Sequence, residues 1–149
     1  QLDRFLTSIK LGYPAVDDEL HLLNDYGDSV RHDPAAVLTK ESVTVLREAC
    51  EEVYLHEDLA RYIIEISRAS REDPQIKLGI SPRGSMHLAM ACKAFALVKG
   101  RHQVIAEDVQ RLIPPVWDHR ILPRHGRDND SIHAHELLQT ILENIAVPR

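Results

Sequence analysis

Apolar residues recur at helical spacing along most of the chain. Residues 40–54 form one apolar helix face, since apolar positions follow the i, i+3, i+4, i+7 pattern at Leu46, Ala49, Cys50 and Val53. Similar patterns predict a helix from residue 57 to just before Pro74, one from about residue 106, and a last one over 132–145. Pro114 and Pro115 are expected to kink or split the helix that begins near residue 106.

The first part of the chain has a different pattern. Residues 4–11, RFLTSIKL, are a short run that can form a strand, and it is closed by Gly12, Tyr13 and Pro14. One strand cannot form a sheet, so we expect its partner strands to lie upstream of this sequence. An acidic-fronted helix is predicted over 15–26, followed by a loop over 31–39. The expected fold class is all-α: a small helical bundle preceded by a remnant strand and a connector helix.

The helix predicted after Pro82 is apolar on nearly all sides and has an arginine at its start. Ser81 suits the N-cap, Pro82 the first helical position and Gly100 the C-terminal stop. Arg83 then lies in the first turn, where the helix dipole and free N–H groups favour an anion. Arg83 therefore either binds an anionic ligand or forms a buried ion pair with an acid such as Glu107 or Asp108.

Composition restricts the classes of function. The chain has 149 residues, of which 44% are hydrophobic and 28% charged, and this is typical of one globular domain, alone or with a fragment of another. A formal charge of −5 argues against nonspecific DNA binding. Cys50 and Cys92 suit small buried positions in a reducing compartment. No apolar run approaches the roughly 20 residues of a membrane span, and no signal-peptide pattern is present. We expect a cytoplasmic location.

Local motifs for catalysis and metal binding are missing from the sequence. Gly79 and Gly84 have the spacing of a phosphate-binding loop, but Ser85 and Met86 stand where its lysine and hydroxyl residue belong. The segment HELLQ departs from the zinc motif H-E-x-x-H because Gln139 replaces the second histidine. Four histidines cluster near a predicted loop, where a solvated surface is expected: His119, His125, His133 and His135. We expect no metal site.

Four longer segments occur in a characteristic order: QLDRFLTSIKLGYP, VYLHEDLARYIIEISRASR, GISPRGSMHLAMACKAFALVKGR and VIAEDVQRLIPPVWDHRI. Together they resemble the C-terminal portion of the MoxR-family AAA+ ATPases. The resemblance covers residues 1 to about 122, with a weaker match in the tail. It implies a remnant of the ATPase core over 1–28, a helical lid over 29–122, and a loop and helix packed on the lid over 123–149. The Walker motifs and sensor 1 would lie upstream.

The same resemblance implies roles for individual residues. The segment GISPR matches the sensor 2 motif, whose arginine, here Arg83, reaches the phosphates of ATP bound to the core of the same subunit. Ser81 and Pro82 begin the helix, whose dipole and N–H groups also favour phosphate. Arg4 lies in the segment LDRF, where related AAA+ proteins have an arginine finger for the γ-phosphate in the neighbouring subunit.

The resemblance also implies how the intact protein would work. It would be a hexameric, chaperone-like ATPase that uses ATP and Mg²⁺, and its lid would close over ATP and rotate about a hinge within 13–28. Hydrolysis would be coupled to the assembly or activation of client complexes. Expected partners are its own core, neighbouring subunits and a von Willebrand factor A domain protein, with no nucleic acid and no membrane span. Without Walker motifs, this chain alone should bind no cofactor and hydrolyse no ATP.

The arginines also have roles open to them outside a nucleotide site. Salt bridges to nearby acids would account for Arg101 and Arg120. A stand-alone helical adaptor would bind a partner through an exposed apolar stripe, and an upstream P-loop would argue against it. A nucleic-acid module would use a basic set at the end of the bundle, against the net negative charge: Arg120, Arg124, His125 and Arg127.

Overall fold

The computed structural model describes residues 2–24, 35–124 and 131–148. Within these ranges it has six α-helices and one two-stranded sheet, which confirms the predicted all-α class. In chain order the elements are α1 (Val16–Asn24), α2 (Lys40–Glu52), α3 (Glu57–Glu72), β1 (Ile76–Leu78), α4 (Pro82–Val98), α5 (Ala106–Trp117), β2 (Leu122–Pro123) and α6 (Ser131–Glu143). Short 3₁₀ helices span Leu2–Arg4 and Asp118–Arg120. None of the described helices is long and apolar enough to cross a membrane.

Helix α4 lies at the centre of the bundle. It packs against α2, α3 and α5, while α6 packs against α3 and the 3₁₀ helix that follows α5. Apolar side chains from α3, α4, α5 and α6 form the core, including Tyr62, Ile66, Leu88, Cys92, Val109, Ile113, Trp117 and Leu138. Burial raises the pKa of the Cys92 thiol to about 12, so this cysteine stays protonated and packs as a small apolar residue.

The ends of α4 are those that the sequence predicts. Ser81 is the N-cap, and its hydroxyl oxygen accepts a hydrogen bond from the Gly84 N–H at 3.2 Å. Pro82 is the first helical residue, where its missing N–H breaks no helical hydrogen bond. Gly100 has a φ of +70°, a left-handed conformation that ends the helix and that a side chain would disfavour.

The predicted strand over 4–11 is not formed. Residues 2–4 are a 3₁₀ helix, and residues 5–15 have neither helix nor strand. The segment has no neighbouring strand among the described residues, and its backbone groups bind the end of α5 instead: the Ser8 N–H donates to the Pro115 carbonyl at 2.7 Å. The small sheet lies elsewhere, where β1 and β2 pair antiparallel with Ile76 opposite Pro123.

Two helices differ in detail from expectation. Helix α5 continues through Pro114 and Pro115, so these prolines do not split it. The carbonyl groups that lose their helical donors belong to Gln110 and Arg111, and both residues are exposed. Helix α1 begins near the predicted start, whereas its predicted end at 26 lies outside the described residues.

The predicted apolar face of α2 is only partly buried. Val53 is buried, Ala49 and Cys50 are half-buried, and Leu46 is 47% exposed. Between α2 and α4 there is an open, largely apolar groove of about 440 Å³, which leaves part of this face uncovered.

Candidate functional site

The start of α4 carries the candidate sensor residues. The Ser81 hydroxyl caps the helix and also donates to the Asp3 carboxylate, whose oxygens lie at 3.0 and 3.1 Å. One hydroxyl thus ties the first turn of α4 to the N-terminal 3₁₀ helix. This contact joins residues 78 positions apart in the chain, and no local pattern in the sequence indicates it.

The side chain of Arg83 is exposed and, within the described residues, has no hydrogen bond or ion pair. Neither Glu107 nor Asp108, the acids considered as buried partners, pairs with Arg83. Asp108 is buried and forms a bidentate pair with Arg101, at 2.7 and 2.8 Å, and it accepts from the Ile105 N–H at 3.0 Å. Glu107 is exposed. The buried ion pair considered for Arg83 is therefore not formed, whereas the predicted salt bridge of Arg101 is confirmed.

Arg4, the candidate finger, is also exposed, and its side chain makes no hydrogen bond or ion pair within the described ranges. It directly follows Asp3 in the 3₁₀ helix. Since Asp3 is bonded to Ser81, the segment that carries Arg4 and the helix start that carries Arg83 are in direct contact. The structure thus brings together the two chain segments that hold the predicted site residues.

Arg120 is buried. From the sequence, both a salt bridge to an acid and a place in a nucleic-acid surface were open to it. It is only 5% exposed, and its Nη1 group donates to the Asp3 carbonyl at 2.6 Å and to Asp3 Oδ1 at 2.7 Å. Its Nη2 group donates to the carbonyl of Phe5 and, at 3.5 Å, to that of Leu6. The predicted salt bridge to an acid is confirmed. The alternative use of Arg120 in a nucleic-acid surface is wrong, because the guanidinium is buried inside the protein.

The remaining donors of Arg120 bind two helices. Nε donates to the Val116 carbonyl of α5 at 2.7 Å, and Nη2 lies 2.7 Å from Nδ1 of His87 in α4. An arginine one turn after Val116 suits a helix C-terminus, where cations bind free carbonyl groups. That signal is readable in the sequence, but it gives no indication of the contacts with residues 3–6.

The charges of this cluster set its protonation states. Burial raises the pKa of Asp3, but hydrogen bonds from Ser81 and Arg120, with the charges of Arg120 and Arg83, more than offset it, so this pKa is lower than usual. Burial also lowers the pKa of His87; the charges of Arg120 and Arg83 lower it further, against the opposing effect of Asp3. Neutral His87 can then accept the Arg120 hydrogen bond through Nδ1.

The glycines of the segment GISPRG are explained by close packing. A Cβ atom at Gly79 would lie 2.5 Å from the Ser70 carbonyl oxygen and 2.7 Å from the Arg71 nitrogen, both backbone atoms of α3. A Cβ at Gly84 would lie 2.8 Å from Cγ2 of Ile80. The absence of side chains here allows the start of α4 to sit directly on its neighbours.

Histidines 119 and 135 are less solvated than the sequence suggested. His119 is half-buried and its Nε2 lies 3.3 Å from the Phe5 carbonyl oxygen. Nδ1 of His135 lies 3.3 Å from Oδ2 of Asp118. Burial raises the pKa of Asp118, while the charge of His135 and its hydrogen bond act against this. His125 lies outside the described residues. Among the described residues, no three His, Cys, Asp or Glu side chains are grouped to hold a metal ion.

Comparison with known proteins gives the class of this fold and site. Residues 68–141 match the family model described as the AAA lid domain. A crystal structure of a candidate ATPase from Cytophaga hutchinsonii superposes with a TM-score of 0.79, over 99% of this chain and 48% of that chain, at 24% identity. The helical bundle and its capped α4 are therefore those of an AAA lid domain.

Curated relatives narrow the class. The chain is 34% identical to Uncharacterized protein YeaC of Bacillus subtilis over 149 residues, 99% of this chain and 47% of that protein. It is 29% identical to Chaperone MoxR1 of Mycobacterium tuberculosis over 160 residues, 100% of this chain and 42% of that protein. Protein MoxR of Paracoccus denitrificans is 34% identical over 76 residues, 42% of this chain and 22% of that protein. The chain belongs to the MoxR-type AAA+ ATPases, and it spans about half the length of the first two relatives.

Proposed function

We propose that this chain is the lid of an ATPase in which Arg83 acts as the sensor 2 residue, contacting the phosphates of ATP bound to the core of the same subunit. The observation that carries the proposal is an exposed guanidinium, without an ion-pair partner among the described residues, in the first turn of a capped helix. A cation there is disfavoured by the helix dipole. A bound phosphate reverses this, since it is stabilised by both the guanidinium and the helix start.

The residues present fit a phosphate group and leave the rest of the chemistry to the core. Arg83 has five N–H donors available, and Asp3, the described carboxylate whose charge interacts with it, is already bonded to Ser81 and Arg120. Mg²⁺ would be held by Walker residues, which this chain lacks. The chain's own contribution is to bind and orient the phosphates and to exclude water when the lid closes.

Arg4 acts as an arginine finger, donating to the γ-phosphate in the neighbouring subunit of a hexameric ring. Its exposed side chain and lack of an ion-pair partner among the described residues support this role. Residues 1–28 then belong to the core and its connector, 29–122 to the lid, and 123–149 to a tail packed on the lid. Lid rotation about 13–28 follows loss of the γ-phosphate.

ATP hydrolysis drives chaperone-like assembly or activation of client complexes in the cytoplasm, together with a von Willebrand factor A domain protein. The name of the mycobacterial relative, Chaperone MoxR1, supports the chaperone part of this function. A stand-alone adaptor is the competing function, and the open apolar groove between α2 and α4 would suit it. Relatives about twice as long as this chain argue against that alternative.

The decisive experiment is the substitution Arg83→Ala in the full-length protein. Turnover of ATP should fall by about ten- to a thousandfold, corresponding to about 1.4–4 kcal/mol of lost transition-state stabilisation. The free energy of unfolding should change by no more than about 0.5 kcal/mol, because the side chain is exposed and unpaired within the described residues. Steady-state ATPase assays and urea denaturation measure the two quantities.

Arg68→Ala is the matched control. Arg68 is an exposed arginine on α3 whose nearest acid, Glu72, lies 3.9 Å away, so its loss should leave turnover unchanged. Full activity in Arg83→Ala would rule out the sensor role. A stability loss of about 3–5 kcal/mol would instead identify Arg83 as a structural ion-pair residue.

A further inference from the structure

Arg120 donates hydrogen bonds to the backbone on both sides of Arg4. Its Nη1 donates to the carbonyl of Asp3 and its Nη2 to the carbonyl of Phe5. The residue between them, Arg4, keeps an exposed side chain. These hydrogen bonds from Arg120 to residues 3 and 5, called the clamp below, therefore fix the position of the backbone at Arg4. They leave the guanidinium of Arg4 available to a ligand.

The clamp is anchored in the bundle and not in the N-terminal segment. The Nε group of Arg120 is held by the Val116 carbonyl at the end of α5, and its Nη2 group contacts His87 of α4. The Arg120 side chain is 1% exposed. All three nitrogen atoms of the guanidinium are thus bonded, and a planar group with fixed donors can hold the segment in only one orientation.

Two more contacts bind the same segment to the same part of the bundle. The Ser8 N–H donates to the Pro115 carbonyl at 2.7 Å, and Ser81 donates to the Asp3 carboxylate at 3.0 Å. Ser81 stands two residues before Arg83. The segment that carries Arg4 and the helix start that carries Arg83 are consequently parts of one hydrogen-bonded unit.

We propose that Arg120 is a positioning residue: by donating to the backbone on both sides of Arg4, it holds the finger in the orientation in which it reaches the nucleotide of the neighbouring subunit. This inference rests on the proposed function of Arg4.

The test uses rings of the full-length protein with Arg120→Met, Arg120→Lys or Asp3→Ala. We expect Arg120→Met to lower turnover about as far as Arg4→Ala does, while affinity for a fluorescent ATP analogue stays within about twofold, because no phosphate-binding group is removed. Lysine keeps the charge but provides fewer and less directed donors, so Arg120→Lys should fall between Met and the unaltered protein. Arg68→Met, at an exposed arginine, is the control and should keep full turnover.

Mixed rings separate positioning from general damage. A subunit with Arg120→Met keeps its own ATP site, so it should regain turnover next to a Walker-defective subunit that supplies an intact finger. Damage to the subunit's own fold would not be corrected by a neighbour. If Arg120→Met does not fold, Asp3→Ala serves in its place: it removes the side-chain part of the clamp, and its turnover should fall several-fold and recover in mixed rings.

The outcomes distinguish this inference from the function on which it rests. Full turnover in homogeneous rings of Arg120→Met, or of Asp3→Ala where Met does not fold, contradicts the positioning role while leaving Arg4 and Arg83 in place. Lowered turnover without recovery in mixed rings also contradicts it. Full turnover in Arg4→Ala rings would overturn the finger itself, and the positioning role with it.

Discussion

At the residue scale, arginine side chains have two opposite roles in this chain, as exposed candidate ligand contacts and as buried structural residues. Arg83 and Arg4 are exposed, whereas Arg120 is buried with a carboxylate and backbone carbonyls as partners. Arg101 lies between these extremes and neutralises the buried Asp108. An arginine that already has strong internal partners cannot release them cheaply for a ligand, so burial and pairing separate the candidate ligand contacts from the structural residues.

Because of His87, the free energy of unfolding is expected to depend on pH. Because the pKa of His87 is lowered in the folded protein, the unfolded chain takes up the proton at a higher pH. The free energy of unfolding should therefore decrease as pH falls below the ordinary histidine value of about 6.5, down to the lowered pKa. Burial is the largest cause of the lowered pKa of His119, so this histidine should change the free energy of unfolding in the same direction. Asp118 should have the opposite effect at lower pH: because burial raises its pKa, its protonation increases the free energy of unfolding as pH falls.

The substitution His87→Gln tests this dependence. A glutamine oxygen can still accept from Arg120 but does not titrate, so the variant should lose less stability than the unaltered chain between about pH 7 and about pH 5. Urea denaturation at both values measures the difference. His102→Gln, at an exposed histidine, is the control variant. Equal losses in His87→Gln and the unaltered chain would contradict the assignment.

At the element scale, the approach of α4 to α3 depends on the segment that joins β1 to α4. The Ile80 N–H donates to the Ser70 hydroxyl at 2.9 Å, and Gly79 passes against the backbone of Ser70 and Arg71. Ser70 in turn donates to the Ser67 carbonyl at 2.7 Å. The position of the α4 start, and hence of Arg83, is fixed by this close backbone contact.

Gly79→Ala should lower the free energy of unfolding by about 2 kcal/mol or more, because its Cβ would overlap backbone atoms that cannot rotate away. Thermal and urea denaturation measure the change. Gly12→Ala is the matched control: a Cβ there meets nothing within 4 Å, so its effect should stay within about 0.5 kcal/mol. Similar stability of the two variants would show that α3 and α4 do not depend on this contact.

At the scale of the whole molecule, the described surface carries apolar side chains that the bundle does not cover. Helix α1 has no buried residue, and Leu20, Leu22 and Leu23 on it are all more than half exposed. The chain spans about half the length of its curated relatives. We expect this helix to pack against other parts of the proposed full-length ATPase, as a connector between core and lid would.

Arg4→Ala tests the proposed role of Arg4 as a finger in a neighbouring subunit's site. In the full-length protein it should lower turnover by at least about tenfold while sparing nucleotide affinity, because a finger stabilises charge on the transferring phosphoryl group and adds little to ground-state binding. Mixing these subunits with Walker-defective ones should restore part of the activity, since the neighbour supplies the arginine. Absence of recovery in mixed rings would indicate a structural Arg4.

The sequence by itself determined the helices and the start of α4. Helical periodicity and the residues Ser81, Pro82 and Gly100 act within a few positions of one another, so local physics is enough to place these elements. It also singled out Arg83, because a cation in the first turn of a helix conflicts with the dipole.

Only the tertiary structure decided the conformation of residues 4–11 and the role of Arg120. A strand-like pattern needs a partner strand, and the described chain offers the end of α5 in its place. The Arg120–Asp3 pair joins residues 117 positions apart, and no local pattern specifies which distant carboxylate a buried guanidinium meets. Long-range pairing depends on how whole elements pack, and that packing is what separates the buried Arg120 from the exposed Arg83.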